Sequence, residues 1–391
     1  MGERPLLTQG GSGRRRMTSP VIEASGTLDT SATEPGLLQA EYILPLRWTD
    51  DAGLPELAAY LQRLSAWIPV TVVDGSAPEL FARHREEFPP QVRHTRPADP
   101  GGSGNGSGGQ PGNGKVAGVL TGVREARAEL LVIADDDVRY TRGSLAAVVR
   151  HLGSADVVRP QNYFAPLPWH AAWDTSRSLI NRAWSADFPG TLGVRRSALL
   201  ATDGYEPVLF ENLELIRTVK AAGGRERVVP DLFVARRPPG ARHFFKQRVR
   251  QAYDDFAQPR RLAAELALLP AAVGTFFLPP KPRGRVLLGL ALAATAAAEV
   301  GRRRDGGTAV FPLRAVWFAP LWAAERALCI WGALAFRLAG GVPYAGSRLK
   351  TAANPETELR RRHQGKLRRF RQEEAAAQQD GTSTPSMKEQ P

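Results

Sequence analysis

Cysteine is almost absent. Cys329 is the only one in 391 residues, so no internal disulfide can form and no cysteine-rich metal motif exists. A reducing compartment, or simple avoidance of the residue, explains this. Acidic residues are in deficit: 39 Asp and Glu stand against 52 Lys and Arg, a formal net charge of +13 with a pI near 10.4. That surplus favours an anionic partner, whether nucleic acid, a phosphorylated substrate or an acidic membrane, without choosing among them. The opening "MGERPLLTQGGSGRRRM" has basic residues but no apolar run behind them, so it does not read as a signal peptide. A catalytic or binding part on the cytoplasmic side is expected, and Met17 is a second possible start.

What is present is ordinary in amount: 43% hydrophobic residues, enough for one large or two smaller domains. Residues 1–39 are polar and non-periodic and read as a disordered leader. From Glu41 strands and helices alternate. "AEYILPL" has strand length, "GLPELAAYLQRLSAW" has helical spacing through Leu57, Leu61 and Leu64, and "IPVTVVDGS" is a second β-rich run. Such alternation implies an α/β domain with a mostly parallel sheet. Residues 97–114, mostly Gly, Ser, Asn and Pro, form a flexible loop. They lack the Walker spacing that would make the glycines a phosphate cradle. A helix with Val116, Val119, Leu120 and Val123 on one face follows, then the strand "LLVIADDD". "GSLAAVVRHLGS" and "ADVVRPQ" continue the alternation, which then becomes less regular.

After about residue 256 the chain turns apolar. "RLAAELALLPAAVGTFFLPP", "RVLLGLALAATAAAEVG" and "AVFPLRAVWFAPLWAAERALCIWGALAFRLAGG" are separated by Lys281, Arg283 and Arg285, then by Arg302, Arg303 and Arg304. A spanning helix needs ~20 apolar residues. Glu265 and Pro270 interrupt the first stretch, the second is short, and the third carries Arg314, Glu325, Arg326 and Arg337. Spanning helices, an interfacial hairpin and a soluble helical domain all remain open, with membrane association expected over residues 257–345. The tail, 346–391, contains a basic helix-prone segment, suited either to anionic headgroups or to solvent.

Asp135, Asp136 and Asp137 end a strand. In open α/β folds that edge binds ligands. Three neighbouring carboxylates repel unless a cation sits among them. Alternation points Asp135 and Asp137 one way and Asp136 the other. A hard ion, Mg²⁺ or Mn²⁺, with a phosphorylated substrate fits such a donor set, while a solvated acidic turn is the plainer alternative. Asp74 ends an earlier strand in "VVDGS", which is also ordinary turn chemistry.

In combination these features resemble the family 2 glycosyltransferases of GT-A fold. The resemblance covers roughly Glu41 to Tyr253, through "YILPL", "VVDGS", "GNGKVAGVLTGVREARAELLVIADDDV", "GTLGVRRSALLATDGY" and "FENLELIRTVKAAGG". It implies a glycosyltransferase domain over 40–256. Asp74 would meet a nucleobase, Lys115 the nucleotide and its phosphates, Asp135 the ribose or sugar, and Asp137 a Mg²⁺ or Mn²⁺ ion with Asp135 assisting. Asp136 lies between them. The donor would be a nucleotide-diphosphate sugar and the acceptor a lipid or polysaccharide at the cytoplasmic face of a cell membrane.

Two departures stand out. The general base of an inverting transfer usually comes from a Glu-Asp pair, and here the pair is Glu211-Asn212. An amide is not a base, so Glu211 or Glu214 would take the role, unless the protein is a non-catalytic binding or scaffold member. The motif Gln-x-x-Arg-Trp is matched by Gln247 and Arg250 but has Gln251 in place of Trp. Gln247, Arg248 and Arg250 are candidate diphosphate ligands, and a basic amphipathic helix explains them equally. His243 reads as structural. Trp169, Trp173 and Trp184 suit packing before sugar stacking. Asp187 is a further acceptor-side possibility. A nucleotidyltransferase would open with a glycine-rich signature that "YILPLRWTDDAG" lacks. A nucleic-acid partner is not expected, because many arginines lie in the apolar third and the tail.

Overall fold

The computed structural model describes residues 36–98, 114–202, 204–344 and 347–366. The expected leader up to residue 35, nearly all of the glycine-rich loop and the tail beyond 366 lie outside these residues. The α/β expectation holds. Eight strands form one mostly parallel sheet in the order β3-β2-β1-β4-β7-β6-β8-β5. They are β1 (Glu41–Leu46), β2 (Val70–Asp74), β3 (Arg93–Thr95), β4 (Leu130–Ala134), β5 (Val138–Arg139), β6 (Val157–Phe164), β7 (Thr191–Arg195) and β8 (Glu226–Arg236). β7 runs against β4 and β6, and β5 runs against β8. The other pairs are parallel.

Every residue of β1 and β2 is buried, as expected for strands covered on both faces. On one side pack α1 (Leu54–Leu64) and α4 (Arg142–Leu152), through Leu57, Leu61, Leu64, Leu145 and Val148. On the other lie α3 (Gly114–Glu125) and α7 (Glu211–Ala221), through Val116, Val119, Val123, Leu215 and Val219. Thr141 caps α4 by accepting from Ser144 N at 3.1 Å.

Strand order doubles back at β1. β2 and β3 lie to one side of it and β4 to the other, which makes the β1/β4 boundary a switch point where ligands bind beyond the carboxyl ends. Pairing between β1 and β4 ends at Ile43, two residues before Pro45, which has no N–H to offer a ladder. The strands part there and a cleft opens.

The apolar region packs on this sheet domain. It comprises α9 (Pro259–Gly274), α10 (Pro280–Arg303), the short α11 (Leu313–Val316) and α12 (Ala319–Leu338). Among the described residues one helical stretch, Pro280–Ala309, is long and apolar enough to cross a membrane. It contains the stretch that looked short in sequence. α12 belongs to the body instead: Trp322, Ile330 and Ala333 are buried, and the helix packs on α8 (Ala241–Tyr253) and on α5 (Trp169–Trp184). The end of α10 is also locked down. A Cβ on Gly301 would lie 1.8 Å from Leu179 O of α5. Buried Arg182 donates to Gly301 O, Pro230 O, Arg304 O and the Gln161 side chain. The first half of α10 has no such cover, and Leu287, Leu288, Leu290 and Leu292 are exposed. A small antiparallel pair, β9 (Val342–Tyr344) and β10 (Ser347–Leu349), closes the body.

Candidate active site

β4 carries Asp135 to the sheet edge, where its N–H donates to Gly190 O at 2.8 Å. A Cβ at Gly190 would stand 2.7 Å from Asp135 Oδ2, so only glycine leaves this carboxylate room. The chain leaves the strand there and turns through Asp136 and Asp137, with Val138 N donating to Asp135 O at 3.1 Å. Asp135 and Asp137 both face Arg236, whose Nε donates to Asp137 Oδ2 at 2.7 Å and whose guanidinium reaches Asp135 Oδ2 at 3.3 Å. Asp136 points away and accepts from Trp48 Nε1. β5, only two residues long, sets this geometry. Its Val138 pairs with Arg236 in β8, and Arg237 N donates to Asp137 O at 2.7 Å.

Lys115, in the first turn of α3, places Nζ 2.5 Å from Asp135 Oδ1 and 2.5 Å from Glu211 Oε1. Burial disfavours its charge, but the two carboxylates more than offset that and hold the ammonium well above its usual range. Arg236 is raised against burial in the same way by Asp137 and Asp135. Asp137 goes up instead. Burial is the largest influence, Arg236 pulls down, and the charges of Asp135 and Asp136 push up, leaving its pKa at about 6.

Two cavities share lining residues at this point. The outer cleft, ≈ 1240 Å³, is lined by Arg47, Trp48, Gly75, Arg96, Lys115 and Asp136 among others. The inner chamber, ≈ 190 Å³, is lined by Asn212, Arg236, Asp254 and Asp255. Asp135, Glu211, Gln247 and Arg250 line both. Of the residues singled out in sequence, therefore, Lys115, Asp135, Asp136, Glu211, Gln247 and Arg250 converge. Gln247 also meets His243 within α8.

Four expected site residues line neither cavity: Asp137, which stays beside Asp135 against Arg236, and Asp74, Glu214 and Arg248. Asp74 is buried beneath the cleft and its oxygens are taken. Oδ2 faces His84 Nδ1 at 2.6 Å and His94 Nε2 at 3.1 Å, and Oδ1 accepts from Ser76 N at 2.8 Å. Burial raises this carboxyl, but the hydrogen bonds from His94, Ser76 and His84 outweigh it and hold it far below the usual range. Asp74 thus clamps β2 to its neighbours and lines neither cavity. Glu214 is fully buried and accepts from Asn354 N and Asn354 Nδ2, each at 2.7 Å. It anchors the returning chain and reaches neither cavity, so it is not the base. Arg248 is 3% exposed. It bonds both oxygens of Glu325, Asp174 Oδ1 at 2.7 Å and Gln251 Oε1 at 2.7 Å. Its fork holds α8 to α5 and α12 and lines neither cavity. Gln251, which stands where the motif has Trp, is a partner in this network. Asp187 is likewise structural, bonded to Arg177, Ser178 and Asn181.

Sequence reading missed Trp48, Arg236 and Asp254. Arg236 gave no local signal, since its role depends on a strand pairing across 99 residues. Asp254 follows α8 in a 3-10 turn, Asp254–Ala257, and its Oδ1 is buried without a hydrogen-bond partner among the described residues. Burial is the largest influence on it, Arg250 and Arg326 pull down, and Asp255 and Glu211 push up; its pKa reaches about 7.

The aspartate cluster is suited to a metal ion. Its donors are hard oxygens, and Asp137 Oδ1 is buried without a hydrogen-bond partner among the described residues. A second group, Asp74, His84 and His94, has ligand atoms within 4.8 Å of one another. There the 2.6 Å contact of His84 with Asp74 is a hydrogen bond. Ligands each ~2.0–2.1 Å from one ion would stand further apart, so that group is closed upon itself.

The sequence matches no protein-family model and no curated protein. Solved structures similar to the chain include glycosyltransferases. One is the mannosyltransferase PcManGT from Pyrobaculum calidifontis in complex with GDP-Man and Mn²⁺: 20% identity, 75% of this chain and 87% of that one covered, TM-score 0.42. Another is glucosyl-3-phosphoglycerate synthase from Mycobacterium tuberculosis with Mn²⁺, UDP-glucose and phosphoglyceric acid: 14% identity, 53% and 74% covered, TM-score 0.38. The bifunctional IspDF from Campylobacter jejuni is similar at 10% identity over 49% of each chain, TM-score 0.31. At identities and scores this low, function has to be argued from the site itself.

Proposed function

We propose that the protein transfers a glycosyl unit, with inversion, from a nucleotide-diphosphate sugar to a lipid or polysaccharide acceptor, using Mg²⁺ or Mn²⁺ at the cytoplasmic face of a membrane. The observation that carries this reading is the carboxylate cluster at the switch point, where a large cleft and a smaller polar chamber share lining residues. The cleft has room for a nucleotide, and Lys115, Arg47, Arg96 and Arg250 supply cations for a diphosphate. Asp135 and Asp137 would hold the ion, which would act as a Lewis acid on the leaving diphosphate. Lys115 positions Asp135 and Glu211 together, and Trp48 fixes Asp136 at the cleft wall. Arg236 keeps Asp135 and Asp137 side by side despite their repulsion.

The membrane part of the proposal rests on exposed apolar surface. Phe276 and Phe277 are 67% and 88% exposed, next to Lys281, Arg283 and Arg285 and the uncovered half of α10. Aromatic and basic side chains together suit a lipid headgroup boundary.

Turnover is the test. Purified protein with Mn²⁺ is expected to release nucleoside diphosphate from at least one member of a panel of UDP- and GDP-sugars, and chelation is expected to stop it. Binding of a donor without any turnover, even with membrane extract as acceptor source, would instead favour a non-catalytic protein, for which Asn212 is the specific sign.

A further inference from the structure

Four carboxylates line the inner chamber: Asp135, Glu211, Asp254 and Asp255. Three are committed to cations. Asp135 holds Lys115 and Arg236, Glu211 holds Lys115, and Asp255 holds Arg261 and Arg326. Asp254 has no ion pair among the described residues, and its Oδ1 is buried without a hydrogen-bond partner. Asn212, the residue standing where the usual base would be, donates its amide to Pro189 O at 3.0 Å and so has a structural role.

We infer that Asp254 is the catalytic base for the acceptor hydroxyl, replacing from a different element the function that Asn212 lacks. The inference rests on the glycosyltransferase reading above. Its geometry is that of two cavities with shared lining residues. With the donor's diphosphate in the outer cleft, an acceptor in the chamber approaches from the other side of the Asp135–Glu211 boundary, as an in-line displacement requires. Asp254 takes the hydroxyl proton. The freed oxygen pair forms the bond to the anomeric carbon. The bond from that carbon to the phosphate oxygen breaks, and its electron pair leaves on the nucleoside diphosphate. Asp254 ends protonated and passes the proton to solvent.

The surroundings fit that task. Arg250 and Arg326 face Asp254 with positive charge, Glu211 and Asp255 with negative, and burial dominates, so the carboxyl titrates near neutrality where a base is most effective. Leaving it buried and unpaired costs stability, a pattern typical of functional groups.

The test compares Asp254→Asn with wild type in three measurements. The first is release of nucleoside diphosphate from UDP-glucose, GDP-mannose and related donors with Mn²⁺ and water as acceptor. The others are donor affinity by calorimetry and Tm at pH 8. The variant is expected to lose about 10²–10⁴-fold in kcat, keep donor Kd within about twofold, and show a raised Tm, since a merely structural aspartate would lower it. The acidic limb of the kcat profile, centred near 7 in wild type, is expected to vanish from the residual activity. Unchanged kcat overturns the inference alone, as does a loss matched by an equal loss of donor affinity or by a lowered Tm. Wild type that turns over no donor removes the transferase reading, and the inference with it.

Discussion

Glu211 and Glu214 are one helical turn apart on α7, and packing separates their fates. Glu211 meets Lys115 at the wall between cleft and chamber, whereas Glu214 points into the body and receives two hydrogen bonds from Asn354. Replacing Glu214 with Ala leaves both donors unpaired and is expected to cost about 2–4 kcal/mol in urea unfolding. Glu214→Gln is expected to keep turnover within about twofold, and a larger loss would return Glu214 to the candidate bases. Burial, the largest influence, raises the Glu214 carboxyl above its value in the unfolded chain. The folded state therefore holds that proton longer, and stability from this group is lost as pH rises above the ordinary glutamate range. The deficit of the Ala variant should shrink from pH 4 towards pH 8. In sequence the two glutamates were equivalent, because what separates them is Asn354, 140 residues away. Asp135 was legible for the opposite reason: it directly follows an apolar strand that delivers it to the sheet edge, whereas Asp137 lies in the turn beyond and is placed by Arg236.

The elements that were easiest to read are those whose side chains are sorted by burial. β1, β2 and β4 are continuous apolar runs between turn signals, and α1 repeats leucines at helical spacing. β8 was not recognised. It carries Arg227, Pro230, Asp231 and Arg236 in eleven residues, is only partly buried, and breaks register opposite Pro160 and Gln161. Its partners hold it in place, and with it Arg236. The crossing of α10 over α5 was equally invisible, since its key is the absence of a side chain at Gly301. Gly301→Ala would push a methyl into Leu179 O and is expected to destabilise by about 1–3 kcal/mol in denaturant titration. A neutral result would mean that α10 does not cross α5 this closely in solution.

Part of the basic excess gathers in two places on the described body. Some lines the cleft, where Arg47, Arg96, Lys115 and Arg250 stand around the aspartates. Some flanks the exposed apolar edge formed by Phe276, Phe277 and the first half of α10. The proposed membrane contact makes a direct prediction. Protein should float with anionic phospholipid vesicles, and Phe276→Ser with Phe277→Ser should reduce flotation at least threefold without lowering donor turnover. Equal flotation of wild type and double variant would remove this edge from the contact. Donor binding is separable from the membrane and tests the central claim most directly. Calorimetric titration of UDP- and GDP-sugars into the protein should give binding that weakens at least tenfold when Mn²⁺ is chelated, and again when Asp137 is changed to Asn. Binding of equal strength with and without the metal, or none to any nucleotide sugar in its presence, would contradict the account.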